Sequence, residues 1–156
     1  MKKVLVFIFA MLVCSCSTND DDSQENSIDS IIGNWQPDYE VTVYTNGNQE
    51  NYMSSPCELN NRITFGSDGN FFMTNYPEGN DPNCEELVGN LYQSGTWTQL
   101  SEANYLIILN CMIPDCDPIE ERPDEITFPK TNAMRVKQSD DDPEISYYLY
   151  YYNRVE

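Results

Sequence analysis

The chain has 156 residues, room for one domain, with 26 Asp and Glu against 8 Lys and Arg, no histidine and a formal charge of −18. Such a polyanion repels nucleic acid, whose binding needs clustered Lys and Arg to release phosphate counterions, and repels acidic lipid headgroups, so any membrane attachment has to be covalent. Without histidine there is no Ser–His or Cys–His nucleophile, no imidazole base near neutral pH and no zinc site built on imidazole. Carboxylate pairs remain as acid–base candidates, but in so acidic a chain chance proximity singles out none. No catalytic residue, cofactor or metal is expected.

Met1-Lys2-Lys3 and the apolar run Val4 to Val13 have the form of a secretory signal peptide, too short to span a bilayer. Val13-Cys14-Ser15-Cys16 follows. It resembles the lipobox of bacterial lipoproteins: an aliphatic residue, two small ones, then the cysteine that is acylated. Cys16 fits that pattern, whereas Cys14, preceded by β-branched Val13, fits poorly. The resemblance implies a signal peptide over 1–15 and a lipid on Cys16. Several acyl chains, at about 0.8 kcal/mol per buried methylene, hold far more firmly than one. No aspartate follows Cys16, so the usual inner-membrane retention signal is missing. Ser17 followed by Asp20-Asp21-Asp22 resembles the surface-export signal of lipoproteins in some Gram-negative lineages. The expected address is the outer membrane, exposed at the surface, with its periplasmic face as the alternative. Residues 16–30 are polar, acidic and free of aromatics, the composition of a disordered tether.

Ile31-Ile32-Gly33-Asn34-Trp35 is the first apolar run of the body. Tyr39 to Thr45 alternates apolar and polar with β-branched residues, a strand by period, and Pro37 before it suits a bend or an edge that needs no ladder donor. Asn46-Gly47 signals a hairpin back to Glu50–Met53. A second hairpin joins Arg62–Phe65 to Asn70–Tyr76 through Gly66-Ser67-Asp68-Gly69, whose glycines supply the positive φ a tight turn needs. Further strands are predicted within Asn90–Leu100, around Ser94-Gly95-Thr96-Trp97, and at Leu106–Leu109, Asp124–Phe128, Ala133–Gln138 and Ile145–Val155. Cys111 to Asp124, rich in proline and acid, reads as a long loop insertion. Eight or nine short strands at regular spacing, without a helix, predict an all-β antiparallel barrel or sandwich.

Gly33 and Trp35 at the mouth of the first strand, the Gly66–Gly69 turn, Gly95-Thr96-Trp97 and the closing Tyr151–Val155 with Arg154 resemble, in order and spacing, the lipocalin-like domains of bacterial lipoproteins. The resemblance covers residues 31–156 and implies a small up-and-down barrel. In it Gly33, Trp35 and Arg154 close the floor, the guanidinium lying across the indole. It also implies a cavity able to hold a small apolar ligand. A barrel packed with its own side chains, acting through an outer aromatic or acidic face, is the competing expectation. A monomer is expected.

Setting aside Cys14 in the leader and the lipidated Cys16, four cysteines remain, Cys57, Cys84, Cys111 and Cys116, and three pairings are open to them. Cys57 and Cys84 flank one hairpin, and Cys111 and Cys116 share one loop; these local pairs are the expected ones. On the chain-entropy account the first gives roughly 3–4 kcal/mol and the second about 2. A four-thiolate metal site lacks any Cys-x-x-Cys pair. The acidic runs Asp115–Asp117, Glu120-Glu121 and Asp140–Asp142 lack calcium-loop spacing and read as solvated faces.

Alternate residues of a small barrel point inward. Polarity puts Val41, Val43, Ile63, Phe65, Trp97, Ile107, Leu109, Ile126, Phe128, Met134 and Val136 inside. The last strand is aromatic on both faces, with Tyr147, Leu149 and Tyr151 on one and Tyr148, Tyr150, Tyr152 and Arg154 on the other. The candidate pocket takes the first of these, with Val43, Phe65, Trp97, Ile107 and Met134. On the lipobox reading, Cys16→Ser should move the protein from the membrane to the soluble fraction. Membrane partition that survives Cys16→Ser but is lost in Cys14→Ser would transfer the anchor to the earlier cysteine.

Overall fold

The computed structural model describes residues 28–80, 84–87, 93–111, 117–121, 123 and 125–156. The leader, the lipobox with Cys16 and nearly all of the tether lie outside these residues. One helical turn, Ile28–Ile31, leads into ten strands: β1 Gly33–Tyr44, β2 Gln49–Met53, β3 Ile63–Phe65, β4 Asn70–Met73, β5 Ser94–Ser101, β6 Asn104–Asn110, β7 Ile119–Glu121, β8 Glu125–Lys130, β9 Ala133–Gln138 and β10 Ile145–Val155. All are antiparallel to their partners, in the order β7-β6-β5-β4-β3-β1-β10-β9-β8, with β2 added to β1. The sheet curls into a half-barrel. Among the described pairs no ladder joins β7 to β8. The two sides meet instead where the Ile126 amide donates to the Ala103 carbonyl at 2.8 Å.

Three features differ from the sequence-based expectation. A short strand, β7, lies within the predicted Cys111–Asp124 loop and pairs with β6. Gly33 to Asp38 belongs to the first strand rather than preceding it. And β1 carries a bulge: Pro37 pairs with Tyr152 and Tyr39 with Tyr151, leaving Asp38 as the extra residue. One extra residue in a period-two strand exchanges its faces beyond that point. Trp35 therefore faces the main core, whereas Val41 and Val43, predicted to face in, are buried but lie on the opposite face with Tyr39, Leu149 and Tyr147, outside that cluster. Pro37 tolerates its place because β1 changes partners there. Residues 33–35 pair with β3 and residues 39–43 with β2, so no ladder donor is missed.

The core holds Ile31, Trp35, Phe65, Phe71, Trp97, Tyr105, Ile107, Leu109, Ile126, Phe128 and Met134. Phe65 meets Phe71 and Trp97 edge-on, with centroids 5.2 and 5.8 Å apart, a favoured aromatic geometry. The Trp97 indole donates to the Gly66 carbonyl at 3.0 Å, tying β5 to the glycine turn. Gly95 has no room for a side chain, since a Cβ there would collide with the Ile108 carbonyl on β6. Cys57 and Cys84 are disulfide-bonded with Cα atoms 5.5 Å apart, the pairing expected from their flanking one hairpin. Cys111 is also disulfide-bonded; its expected partner, Cys116, lies outside the described residues.

The floor is closed by Arg154. Its guanidinium carbon sits 4.4 Å from the centroid of the fully buried Trp35 ring. Its nitrogens donate to the carbonyls of Ile32 at 2.5 Å, Ser30 at 2.6 Å and Thr131 at 3.2 Å, while the indole N–H donates to Ile31 at 2.8 Å. Gly33 is the residue that lets the arginine through. It has φ +137°, and a Cβ there would stand 2.6 Å from Arg154 Nη1. Trp35→Ala should cost roughly 3–5 kcal/mol, as loss of a buried large aromatic does, and Arg154→Ala about 1–2 kcal/mol through lost stacking and carbonyl bonds. Chemical denaturation of both singles and the double variant should show losses that fall short of additive, because each residue is the other's partner.

Candidate functional site

Three of the hollows in the described structure adjoin Tyr152 on the core side of the half-barrel. An apolar hollow of about 220 Å³ is lined by Ile63, Phe65, Phe71, Met73, Ile107 and Met134, among others, and by two tyrosines of β10, Tyr150 and Tyr152. Those tyrosines also line a second, more polar hollow of about 180 Å³ at the β1 bulge, with Glu40, Tyr52 and Glu58. A third, of about 210 Å³, opens between Pro37, Asn61, Met73 and Tyr152. Tyr152 is common to all three.

The candidate pocket read from the sequence divides. Phe65, Ile107 and Met134 line the apolar hollow. Trp97 is buried beside Phe65 and Tyr105 as packing and does not line it. Val43, Tyr147, Leu149 and Tyr151 are on the opposite face of the sheet, so these four assignments are corrected. Tyr151 stacks on Tyr39 with centroids 4.2 Å apart and touches the bulge hollow but not the apolar one, and Tyr147 lies under the Lys137 ammonium at 4.7 Å. The cause is register. Arg154 pairs with Trp35 on the inner face, and strand period two carries Tyr152, Tyr150 and Tyr148 with it. That signal was present in the sequence, since the arginine expected over the indole shares its parity with those tyrosines. Phe71 and Met73 were recoverable from the second hairpin. Glu40 was not, because only the bulge turns it inward.

Electrostatics separate the two ends of the site. Burial, then the charges of Tyr150 and Glu40, drives the Tyr152 hydroxyl strongly upward, and burial followed by Glu40 pushes Tyr150 up to about 12. Both are neutral phenols at physiological pH, and neither hydroxyl has a hydrogen-bond partner among the described residues. Glu40 pairs across the ladders with Tyr150 and Tyr52. Burial raises its carboxyl; a long 3.5 Å bond from the Thr42 hydroxyl offsets this in part, and the Glu58 charge adds to the rise. Glu58 is different. Burial acts to raise it, but the Ser55 amide and hydroxyl and the Tyr52 phenol together hold it below the ordinary value. Of the two acids, Glu58 accepts short bonds from Ser55 and Tyr52, and Glu40 only the long one from Thr42. Among the described residues no group of three or more His, Cys, Asp or Glu side chains is placed to hold a metal.

A curled antiparallel sheet, closed at one end by a tryptophan–arginine floor and hollow above it, defines the calycin type of β-barrel. The chain matches the family described as the lipocalin-like domain over residues 31–153, and it belongs to that family. No curated protein matches it.

The sign of the Glu40 shift fixes a stability test. A carboxyl raised in the folded state binds its proton more tightly folded than unfolded. Its contribution is therefore most favourable at low pH and is lost as pH climbs from the ordinary glutamate range through the raised value. Glu40→Gln should unfold at a higher temperature than the parent at pH 7, with the difference vanishing near pH 4. Tyr148 and Tyr150 on β10, Tyr52 on β2 and Glu58 are the titratable groups that face it, and none supplies a compensating cation.

Proposed function

We propose that the chain is a membrane-anchored binding module, tethered to the outer membrane through lipidated Cys16, displayed at the surface as a monomer, and holding a small apolar ligand in the half-barrel. The lipocalin-like fold suggests small-molecule binding in the barrel, and one observation carries the reading: the open apolar hollow of about 220 Å³ above the Trp35 floor. Its size bears on the ligand. Pockets for drug-sized molecules run from about 300 Å³ upward, so the occupant is smaller than these or extends into the bulge hollow beside it. The lipobox residues and the acid run after Cys16 support the anchor and the address. The absence of histidine argues for binding rather than turnover.

The second reading, an interaction protein acting through its outer face, has one observation in its favour. Tyr39, Tyr147, Leu149 and Tyr151 make a half-buried, mainly aromatic strip over the buried Val41 and Val43 on the outer side of β1 and β10, beside Met53, which is 64% exposed. The two readings part on one measurement. A neutral apolar fluorophore such as N-phenyl-1-naphthylamine should brighten on binding. Val136→Phe, which fills the hollow from β9, should reduce that signal about tenfold or more, while Leu149→Ser on the outer strip leaves it unchanged. The reverse pattern would move the site to the outer face.

A further inference from the structure

The two hollows that share Tyr150 and Tyr152 are chemically one-sided. The charged side chains that line them are Glu121 at the apolar hollow and Glu40 and Glu58 at the bulge hollow; no described Lys or Arg lines either. Of the five described cations, exposed Lys130 lines a separate hollow with Asp38, Tyr39 and Asn153, and the other four are engaged elsewhere. Arg154 lies on Trp35, Arg62 bonds the Leu59 and Asn61 carbonyls, Arg135 pairs with Glu125, and Lys137 lies on outward-facing Tyr147. Glu40 thus sits beside aromatic rings with no counter-charge among the described residues, and the Tyr150 and Tyr152 hydroxyls beside it have no hydrogen-bond partner among those residues. Half-burying a carboxylate without a counter-charge is unfavourable, and the β1 bulge is what turns Glu40 toward the tyrosines: without Asp38 as an extra residue, Glu40 would lie on the other face.

We infer that the site is built for an organic cation with an apolar body, an amine or quaternary ammonium whose hydrocarbon part fills the apolar hollow and whose charge lies between Glu40 and the rings of Tyr150 and Tyr152. This rests on the binding-module reading and adds the ligand's charge to it. An ammonium over phenol faces is attracted by the ring quadrupole, and here it also supplies the counter-charge that Glu40 lacks. A fatty acid or other anionic amphiphile meets Glu40, Glu58 and Glu121, with no base among the described lining residues to receive it. A neutral ligand leaves Glu40 as it is. A bare metal ion is a poor fit, because aromatic walls offer few of the six to eight hard oxygens that calcium takes.

The test uses three ligands of one chain length: octyltrimethylammonium, octanol and octanoate, each below its micelle concentration, competing with the neutral naphthylamine probe at pH 7. The cation should bind about tenfold more tightly than the alcohol, and octanoate more weakly than the alcohol. Glu40→Gln should bring the cation down to the alcohol's affinity, with an unchanged circular dichroism spectrum as the control for folding. Asp141→Asn removes the same charge from the exposed turn before β10 and should leave the preference intact, which separates the site from the general attraction of an acidic protein. In the unaltered protein the preference should fade as pH falls and Glu40 takes up its proton. Octanoate binding as well as the cation, a preference that survives Glu40→Gln, or an equal loss in Asp141→Asn would each overturn the assignment. Octanol and the probe binding without a cation preference removes the charge assignment alone. Failure of both to bind removes the hollow as a site and the binding-module reading with it.

Discussion

Everything in this fold hangs on one side chain crossing one ring. Arg154 ties the last strand to Ile32 and Ser30, 122 and 124 residues earlier, and covers the indole that forms the barrel floor. A guanidinium suits the task because it is flat and carries five donors in a fixed plane, so it can stack and bond several carbonyls at once. A lysine would keep the charge and lose most of the bonds. The central position of β1 follows from the same contact. With its inner end held by Arg154, β1 pairs with β10 along its whole length and lends its other edge first to β3 and then to β2.

The bulge at Asp38 divides the molecule into a packed end and an open end. Below it, β1 presents Trp35 to a core of aromatic and aliphatic side chains. Above it, β1 presents Glu40 and Thr42 to the tyrosines of β10, and the interior becomes polar and incompletely filled. The two halves of one strand thus serve stability and recognition separately. A buried acid near the floor would undermine the arginine–indole contact, whereas at the open end its cost is confined to a region that contributes less to the core. The outer strip of Tyr39, Val41, Val43, Leu149 and Tyr151 follows from the same inversion, since residues displaced from the interior have to be covered by one another.

Much of the architecture was legible in the sequence because it rests on local rules: period-two alternation, Asn46-Gly47, the Gly66–Gly69 turn, and the glycine–tryptophan start set against the closing arginine. The Cys57–Cys84 bond was legible because both cysteines flank one hairpin. What was missed comes from a single inserted residue and from strand pairing at a distance. The bulge has no local signature beyond Pro37, which reads equally well as a strand start, so the sequence alone puts Val43 on the inner face. β7 was missed because Ile119–Glu121 is short and acidic and is a strand only through its pairing with β6. The inward face of β10 could have been settled by carrying the parity of Arg154 back along the strand; its aromatic residues on both faces hid that step.

The pairing of β1 with β10 also governs when the chain can fold. Contacts between residues more than a hundred positions apart carry a loop-closure cost that local hairpins do not, and they form late. During synthesis β3 to β6 can assemble as successive hairpins, but the floor cannot close until Arg154 has left the ribosome. Until then Trp35 and the inner face stay uncovered and the chain remains pliable. A fold that closes on a contact so distant in sequence keeps its strands free to rearrange until that one contact has formed.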